Sequence, residues 1–409
     1  MHMMIQRLSQ DSLFVFYGGI IMSKIKAFIN IMRRKLLFFV VWPLAFRLFS
    51  LKPIDEKFVL FAYSKNYDKM PDNMVGIYKY LLKKGYNCKV ISSPENAVKR
   101  IIADIMFQRD YARCKCVFVT DNFDPLYAHK PNEGTKVIQL WHACGAFKKW
   151  GNSTLDLAWG GSRKDMLRFP KHNTYTDVFV SAESVIPCYA EAFGCDESII
   201  KAMGTPRTDV YFDKAFVDGC RDEVLKVFPQ IGDRKIVLYA PTFRGNSPEQ
   251  SYNDQPLDYE LLKKTLGDEY ALVLKLHPFT AKKYKLTDEE KKKYGDFVFD
   301  ASTVLNIETA LCAADYLIAD YSSLIFEYAL LDKPMIFYAY DLEKYDRDRS
   351  FYFDYKSFVP GRIVTTNEEI VACILSGSCQ QEKIKDFKEK FMSACDGKCI
   401  ERIAEYAVR

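Results

Sequence analysis

Histidine and tryptophan are scarce in this chain, with five and four copies among 409 residues. No GxxxxGK[ST] and no GxGxxG stretch occurs. That absence removes support for P-loop ATP hydrolysis and for dinucleotide redox chemistry. No CxxC pair is found among the twelve cysteines, which argues against a zinc site. With no secretory cleavage signal either, the cysteines read as reduced thiols of a cytosolic protein rather than as a disulfide framework. "CKC" at 114–116 and "CDGKC" at 395–399 read as ordinary strand and helix cysteines. A transmembrane helix needs about 20 apolar residues, whereas the N-terminal apolar run covers only Leu36–Phe46 and contains Pro43. The net charge of +5 is mild. It permits an anionic substrate or membrane surface, and nothing in the sequence calls for nucleic acid.

What is present is a large hydrophobic fraction, 49%, with 30 Phe and 26 Tyr, enough for a sizeable core in two or more domains. Met22 reads as the start. Residues 1–21 read as a non-native upstream extension, because "YGGII" before Met22 looks like a translated ribosome-binding site. Residues 22–52 place Lys24, Lys26, Arg33, Arg34 and Lys35 ahead of the apolar run. A basic, aromatic amphipathic segment of this kind suits the cytoplasmic membrane surface. A first helix packed on the domain is the plainer alternative.

Beyond it the chain alternates. Apolar runs such as "KFVLFAYS", "CKCVFVTDN", "TKVIQLWHA" and "TDVFVSAES" read as buried parallel strands, separated by helical spacing as in "DNMVGIYKYLLKKG". The pattern restarts at "RKIVLYAPTFRG" and continues through "YALVLKLHPF", "DYLIAD" and "KPMIFYAYD". The expected fold is α/β, with two Rossmann-like domains facing a central cleft (GT-B type). The expected boundaries are 53–220 for an acceptor domain, 221–378 for a donor domain and 379–409 for C-terminal helices.

Ligands in open parallel sheets bind beyond the carboxyl ends of the strands, and polar residues collect there. His142 follows "VIQLW" and His277 follows "LVLKL", so two of the five histidines hold matching positions in separate sheets. Gly145 and Gly151 permit close backbone approach near His142, and Lys148 and Lys149 add positive charge. Ser322 and Ser323 stand where a strand gives way to a helix, a place suited to a diphosphate; simple capping is the plainer reading. Arg207 in "GTPRTD" and Arg244 in "APTFRG" are suited to phosphate. The DxD of "YDRDRS" lies in mixed charge and reads as surface.

"QLWHACGAFKKWG", "GTPRTD", "YAPTFRG", "LHP", "DYSSLIFEYALLDKPMIFYAYDLEKY" and the later "PG" occur in order over roughly residues 55–405. Together they resemble the CDP-glycerol glycerophosphotransferase family, whose members build teichoic acids and related polyol-phosphate polymers. The "WHACGAFKKWG" form is most similar to the primase-type members. The resemblance implies catalytic His142 and His277. It implies substrate contacts at Ala143, Cys144, Gly145, Ala146, Lys148, Arg207, Pro241, Thr242, Arg244, Lys275, Leu276, Ser322, Ser323 and Glu327. Glu327 replaces the family's usual Asp, and Arg349–Ser350 stands where the family has Arg–Gly. The implied reaction moves glycerol phosphate from CDP-glycerol to a lipid-linked saccharide or polyol-phosphate acceptor and releases CMP. The expected location is the cytoplasmic membrane face. No metal site and no required cofactor are expected, although Mg2+ on the diphosphate fits the scheme. CDP-ribitol as donor, a nucleotide-sugar glycosyltransferase and a non-enzymatic membrane scaffold are the alternatives.

Overall fold

A computed structural model describes residues 22, 24–64, 69–157, 159–245, 252, 257–281, 283–377 and 381–409. The upstream stretch 1–21 lies outside the described residues. Among the described residues twelve strands form two sheets, and every strand pairs parallel to its neighbours. The first holds β1 (Asp55–Tyr63), β2 (Asn87–Ser92), β3 (Cys114–Val119), β4 (Lys136–Gln139), β5 (Asp177–Val180) and β6 (Ile200–Ala202), in the order β2-β1-β3-β4-β5-β6. The second holds β7 (Lys235–Tyr239), β8 (Tyr270–Leu274), β9 (Val298–Asp300), β10 (Tyr316–Ala319), β11 (Met335–Tyr338) and β12 (Arg362–Val364), in the order β12-β11-β10-β7-β8-β9. Their central strands are buried along nearly their whole length, so they read as continuous apolar runs rather than alternating ones.

The strands stop earlier than the apolar runs suggest. β4 ends at Gln139 and β8 at Leu274, which leaves His142 and His277 three residues into the following loops. In each sheet the strand order reverses beside the first strand, between β1 and β3 and between β7 and β10. Such switch points open a crevice at the carboxyl edge, where neighbouring connections leave to opposite faces.

Around the sheets pack, among other helices, α1 (Asp72–Lys83), α2 (Ala97–Tyr111), α3 (Leu324–Ala329) and α4 (Cys399–Val408). The last of them lies at the C-terminus yet packs on the first sheet. Ile403, Ala404 and Ala407 join the cluster of Val59, Phe61, Met74 and Ile77. Gly76 on α1 lets the two helices approach closely, since a Cβ there would lie 2.3 Å from the tip of the Ile400 side chain, which would have to turn away. One apolar cluster runs through both halves, and Phe147 of the first stacks on Phe351 and Phe358 of the second at 5.1 Å.

The N-terminal segment is helical from residue 24 to Phe49. It passes Pro43 by a π-turn over Leu37–Val41, in which Trp42 N–H reaches Leu37 O. The wider turn absorbs a proline that would break a regular α-helix. Phe38, Trp42 and Phe46 are buried, with Phe46 5.3 Å from Tyr111 on α2. Each such burial is worth about 2 kcal/mol before entropy. Arg34 lies 4.2 Å over Phe169 and pairs with Asp124 and Asp165. Meanwhile Phe28, Ile29, Leu36, Phe39, Leu44 and Leu48 remain more than half exposed, at 54–63%. The segment is therefore a packed helix with an uncovered apolar side. No described helix is long and apolar enough to cross a membrane.

Candidate active site

The carboxyl edges of the two sheets meet at a cleft of 780 Å³. His142 and Lys148 reach it from the loop after β4, and His277 from the loop after β8. Pro241 and Thr242 follow β7, and Ser322 and Ser323 follow β10. These loops flank the switch point of the second sheet, so the topology itself gathers them.

The two histidines meet different partners. His142 Nδ1 lies 3.3 Å from the backbone oxygen of Thr120. A carbonyl only accepts, so Nδ1 carries the proton and Nε2 keeps its lone pair. His277 Nδ1 instead accepts from Phe279 N–H at 3.2 Å, so its neutral ring carries the proton on Nε2. Burial lowers the pKa of both rings. For His142 the Asp121 carboxylate and the Thr120 carbonyl oppose that shift. For His277 the nearby Lys148 charge adds to it, pushing the ring down to about 4. Near pH 7 the cleft thus holds one imidazole ready to take a proton and one ready to donate a hydrogen bond.

Thr242 is buried, its N–H donates to Asp320 Oδ1 at 2.9 Å, and its hydroxyl has no partner. A buried unpaired hydroxyl beside a cleft is costly unless a ligand satisfies it. Ser322 Oγ accepts from Leu324 N–H at 3.4 Å, and Ser323 makes no capping bond. The helix that follows, α3, has six residues, so its dipole is smaller than a long helix would supply. Lys148 Nζ rests 3.3 Å from Tyr345 OH.

Several expected contacts stand elsewhere. Arg207 borders the cleft, but its Nη1 donates to His142 O at 3.0 Å and its Nη2 to Glu327 Oε2 at 2.8 Å. Burial works against the Arg207 charge, and the Glu327 carboxylate outweighs it, so the guanidinium sits above its ordinary range. Glu327 itself is buried and also accepts from Tyr211 OH. It braces an arginine instead of facing the cleft. Arg244 is buried too. It bonds Asp320 and Asp341 at 2.8 Å each and lies within 5.5 Å of the Tyr321, Tyr340 and Tyr345 rings. Its fork is fully engaged, so the expectation of a phosphate contact there gives way to a structural role. Lys275 lines the cleft, yet its ammonium donates to Ala301, Ser302 and Leu305 oxygens. Leu276 presents its edge to the cleft beside it, with its N–H on Ser302 Oγ. Ala143, Cys144, Gly145 and Ala146 sit behind His142 rather than on the cleft wall. Tyr189 OH donates to the oxygens of Ala143 and Gly145, and Gly145 N–H donates to Ser181 Oγ. Gly145 has φ +60, and a Cβ there would strike Phe326 at 2.2 Å. Cys144 is buried, its thiol pushed up to about 12 by burial.

Phe243, Asn306 and Glu308 also line the cleft and escaped the sequence reading. Phe243 lies inside the quoted "APTFRG", so its place was readable. Asn306 and Glu308 open a helix at no strand end, and nothing local marks them. Among the described residues no group of three or more His, Cys, Asp or Glu stands together as a metal site.

Residues 44–409 match the family described as CDP-glycerol:poly(glycerophosphate) glycerophosphotransferase. The chain is 36% identical to the teichoic acid ribitol-phosphate primase of Bacillus spizizenii W23, over 90% of this chain and 95% of that protein. It is 35% identical to the teichoic acid poly(ribitol-phosphate) polymerase of the same strain, over 89% of this chain, but spans only 58% of that relative's length. The structure of the wall teichoic acid polymerase TagF superposes with a TM-score of 0.73 at 25% identity, covering 93% of this chain and 97% of that one.

Proposed function

The chain belongs to the CDP-glycerol:poly(glycerophosphate) glycerophosphotransferase family, and from that membership we propose that it transfers a polyol phosphate from a CDP-polyol to an acceptor hydroxyl in teichoic acid synthesis. The observation that carries this reading is the pair of oppositely protonated histidines facing one cleft from two sheets. The acceptor O–H gives its proton to His142 Nε2 as its oxygen attacks the phosphorus that bears the polyol. The bond from that phosphorus to the oxygen shared with the nucleotide phosphate breaks, and CMP leaves with the electron pair. His277 Nε2–H donates to the diphosphate. Lys148 and the hydroxyls of Thr242, Ser322 and Ser323 offset the charge that gathers there. Proton removal by a positioned base is worth about 10²–10⁴-fold. The scheme runs without a cofactor and is compatible with Mg2+ carried by the diphosphate.

Glycerol is the donor group expected from the motifs, whereas both Bacillus relatives bear ribitol names. The two donors therefore stand side by side in the assay. The purified chain is incubated with CDP-glycerol, CDP-ribitol and UDP-sugars, each with a lipid-linked acceptor. CMP release from a CDP-polyol is the expected result; UDP release from a sugar nucleotide alone would overturn the reading in favour of a glycosyltransferase.

The uncovered apolar side of the N-terminal helix, with Lys24, Lys26, Arg33 and Lys35 close by, supports peripheral attachment to the anionic cytoplasmic leaflet. There a lipid-linked acceptor is met in the plane of the bilayer. Flotation with anionic vesicles at low salt, lost on truncation through Ser50, is the expected behaviour. No flotation of the intact chain would refute it.

A further inference from the structure

We infer that Asn73, the second residue of α1, is a positioning residue for this transfer, setting the backbone that carries both His142 and Arg207. The inference rests on the polyol-phosphate transfer proposed for the cleft. Asn73 is buried, at 2% exposure. Its Nδ2 donates to Trp141 O at 2.8 Å, and its Oδ1 accepts from Arg207 N–H at 3.1 Å. The orientation of the carboxamide is fixed by its partners, since a carbonyl can only accept and a peptide N–H can only donate. One side chain thus ties α1 to the peptide leading into His142 and to the peptide of Arg207.

The peptide it holds is an unusual one. Trp141 has φ +54, a left-handed conformation that a bulky residue adopts only where its surroundings enforce it. Both of its polar backbone atoms are clamped by buried side chains. Trp141 N–H donates to Gln139 Oε1 at 2.8 Å, and Gln139 Nε2 donates to Tyr175 OH at 2.7 Å. The ring is packed between Trp150 and Phe193. Asn73 supplies the clamp on the carbonyl side, and that carbonyl belongs to the peptide bond whose nitrogen is His142's own. The far side of His142 is held by Arg207 Nη1 on its oxygen. Asn73 therefore governs both the entry to the histidine and the anchor of the arginine that grips its exit. A core asparagine kept only for stability would need partners, but not these two.

The test is Asn73→Asp, which keeps shape and the acceptor for Arg207 N–H but turns the donor toward Trp141 O into a repelling oxygen. Steady-state CMP release should show kcat lower by about 10- to 100-fold, with KM for the CDP-polyol changed less than about threefold. In a His142→Ala background the same change should cost less than about twofold, because its effect passes through His142. Asn73→Ala, which removes both bonds without adding charge, should lower kcat by a similar factor. Independently of activity, NMR of ring-labelled histidines should show the His142 signals moved and those of His277 unmoved. Unchanged kcat, an equal loss in the His142→Ala background, or unmoved His142 signals would overturn the inference. So would two variants that both melt more than about 10 °C low, since Asn73 would then serve folding alone. A native chain that releases no CMP from any CDP-polyol would instead refute the reaction, leaving the NMR result to judge Asn73.

Discussion

The loop after β4 and the loop after β8 carry the same residue type at the same topological place, but the hydrogen bonds that fix the two histidines differ in origin. The first is braced from many directions: by Asn73 on α1, Thr120 after β3, Ser181 after β5, Tyr189, and Arg207 after β6. In the second, distant bonds hold the residues before the histidine, with Lys275 on the Ala301, Ser302 and Leu305 oxygens and Leu276 N–H on Ser302 Oγ, while the hydrogen bonds at His277 itself are local. Phe279 N–H caps the His277 ring, Thr280 caps the His277 carbonyl, and the Phe243 and Phe279 rings pack against the imidazole, one tilted and one edge-on. A distant carbonyl places the proton on His142 Nδ1; a local N–H places it on His277 Nε2. A base must be aimed at one oxygen within a fraction of an ångström, whereas a donor to a diphosphate has several oxygens to choose from. The difference in bracing follows the difference in task.

The sharpest way to break that comparison is to exchange the roles by deletion. His142→Ala should lower CMP release by about 10²–10⁴-fold, as loss of a general base does, and His277→Ala by about 10², as loss of one charge-stabilising donor does. Equal, small losses measured by steady-state kinetics would dissolve the distinction. Next, Glu327→Gln leaves the half-buried Arg207 guanidinium without its carboxylate. Breaking a buried pair costs about 3 kcal/mol, so denaturant melts should show a lower midpoint and turnover should fall with the slackened grip on His142. An unchanged midpoint would show that the first loop does not depend on this distant pair.

A smaller effect is expected on the donor side. Ser322→Ala with Ser323→Ala should weaken CDP-polyol binding by about 1–3 kcal/mol in calorimetric titration, since backbone N–H groups remain. Unaltered affinity would return both serines to turn formation. The smallest effect is acid sensitivity. His172 donates or accepts at Tyr175 OH beneath the first loop, and burial pushes its pKa down to about 3. The unfolded chain binds that proton near the ordinary value of about 6.5 and the folded chain does not. Stability from this group is therefore full above pH 6.5 and declines as pH falls, by about 1 kcal/mol near pH 5.5. Thermal melts should show the decline, and hydrogen exchange should show it in the first sheet. Loss confined to the second sheet would contradict it. The pH profile of kcat/KM, which reports the free enzyme, should likewise keep its acid limb below 6.5, because His142 is lowered and activity is lost only as its Nε2 takes a proton.

Much of the site could be read from the chain because strand ends are local events. "VIQLWH" and "LVLKLH" each show an apolar run, then a histidine, and the fold brings both to one cleft. Ser322 and Ser323 stand just past a strand end in the same way and line the same cleft. Arg207, Arg244, Lys275 and Glu327 follow no such local rule. From sequence each is a charge in a loop, and only the partner decides whether it faces a ligand. Those partners lie 120 residues away for Arg207, 76 and 97 for Arg244 and 26 to 30 for Lys275. Asn73 gave no signal at all, since an asparagine in the first turn of a helix is commonplace.

The sequence by itself determined two alternating halves, their parallel strands and the histidines at the strand ends, because hydrophobic periodicity and turn chemistry act over a few neighbouring residues. Only the tertiary structure decided which nitrogen of each histidine holds its proton, which arginines are already spent on carboxylates, and that α4 returns to the first sheet. Those outcomes depend on which hydrogen-bond partner arrives from elsewhere in the chain, and a donor or acceptor is chosen by contact, not by its neighbours in sequence.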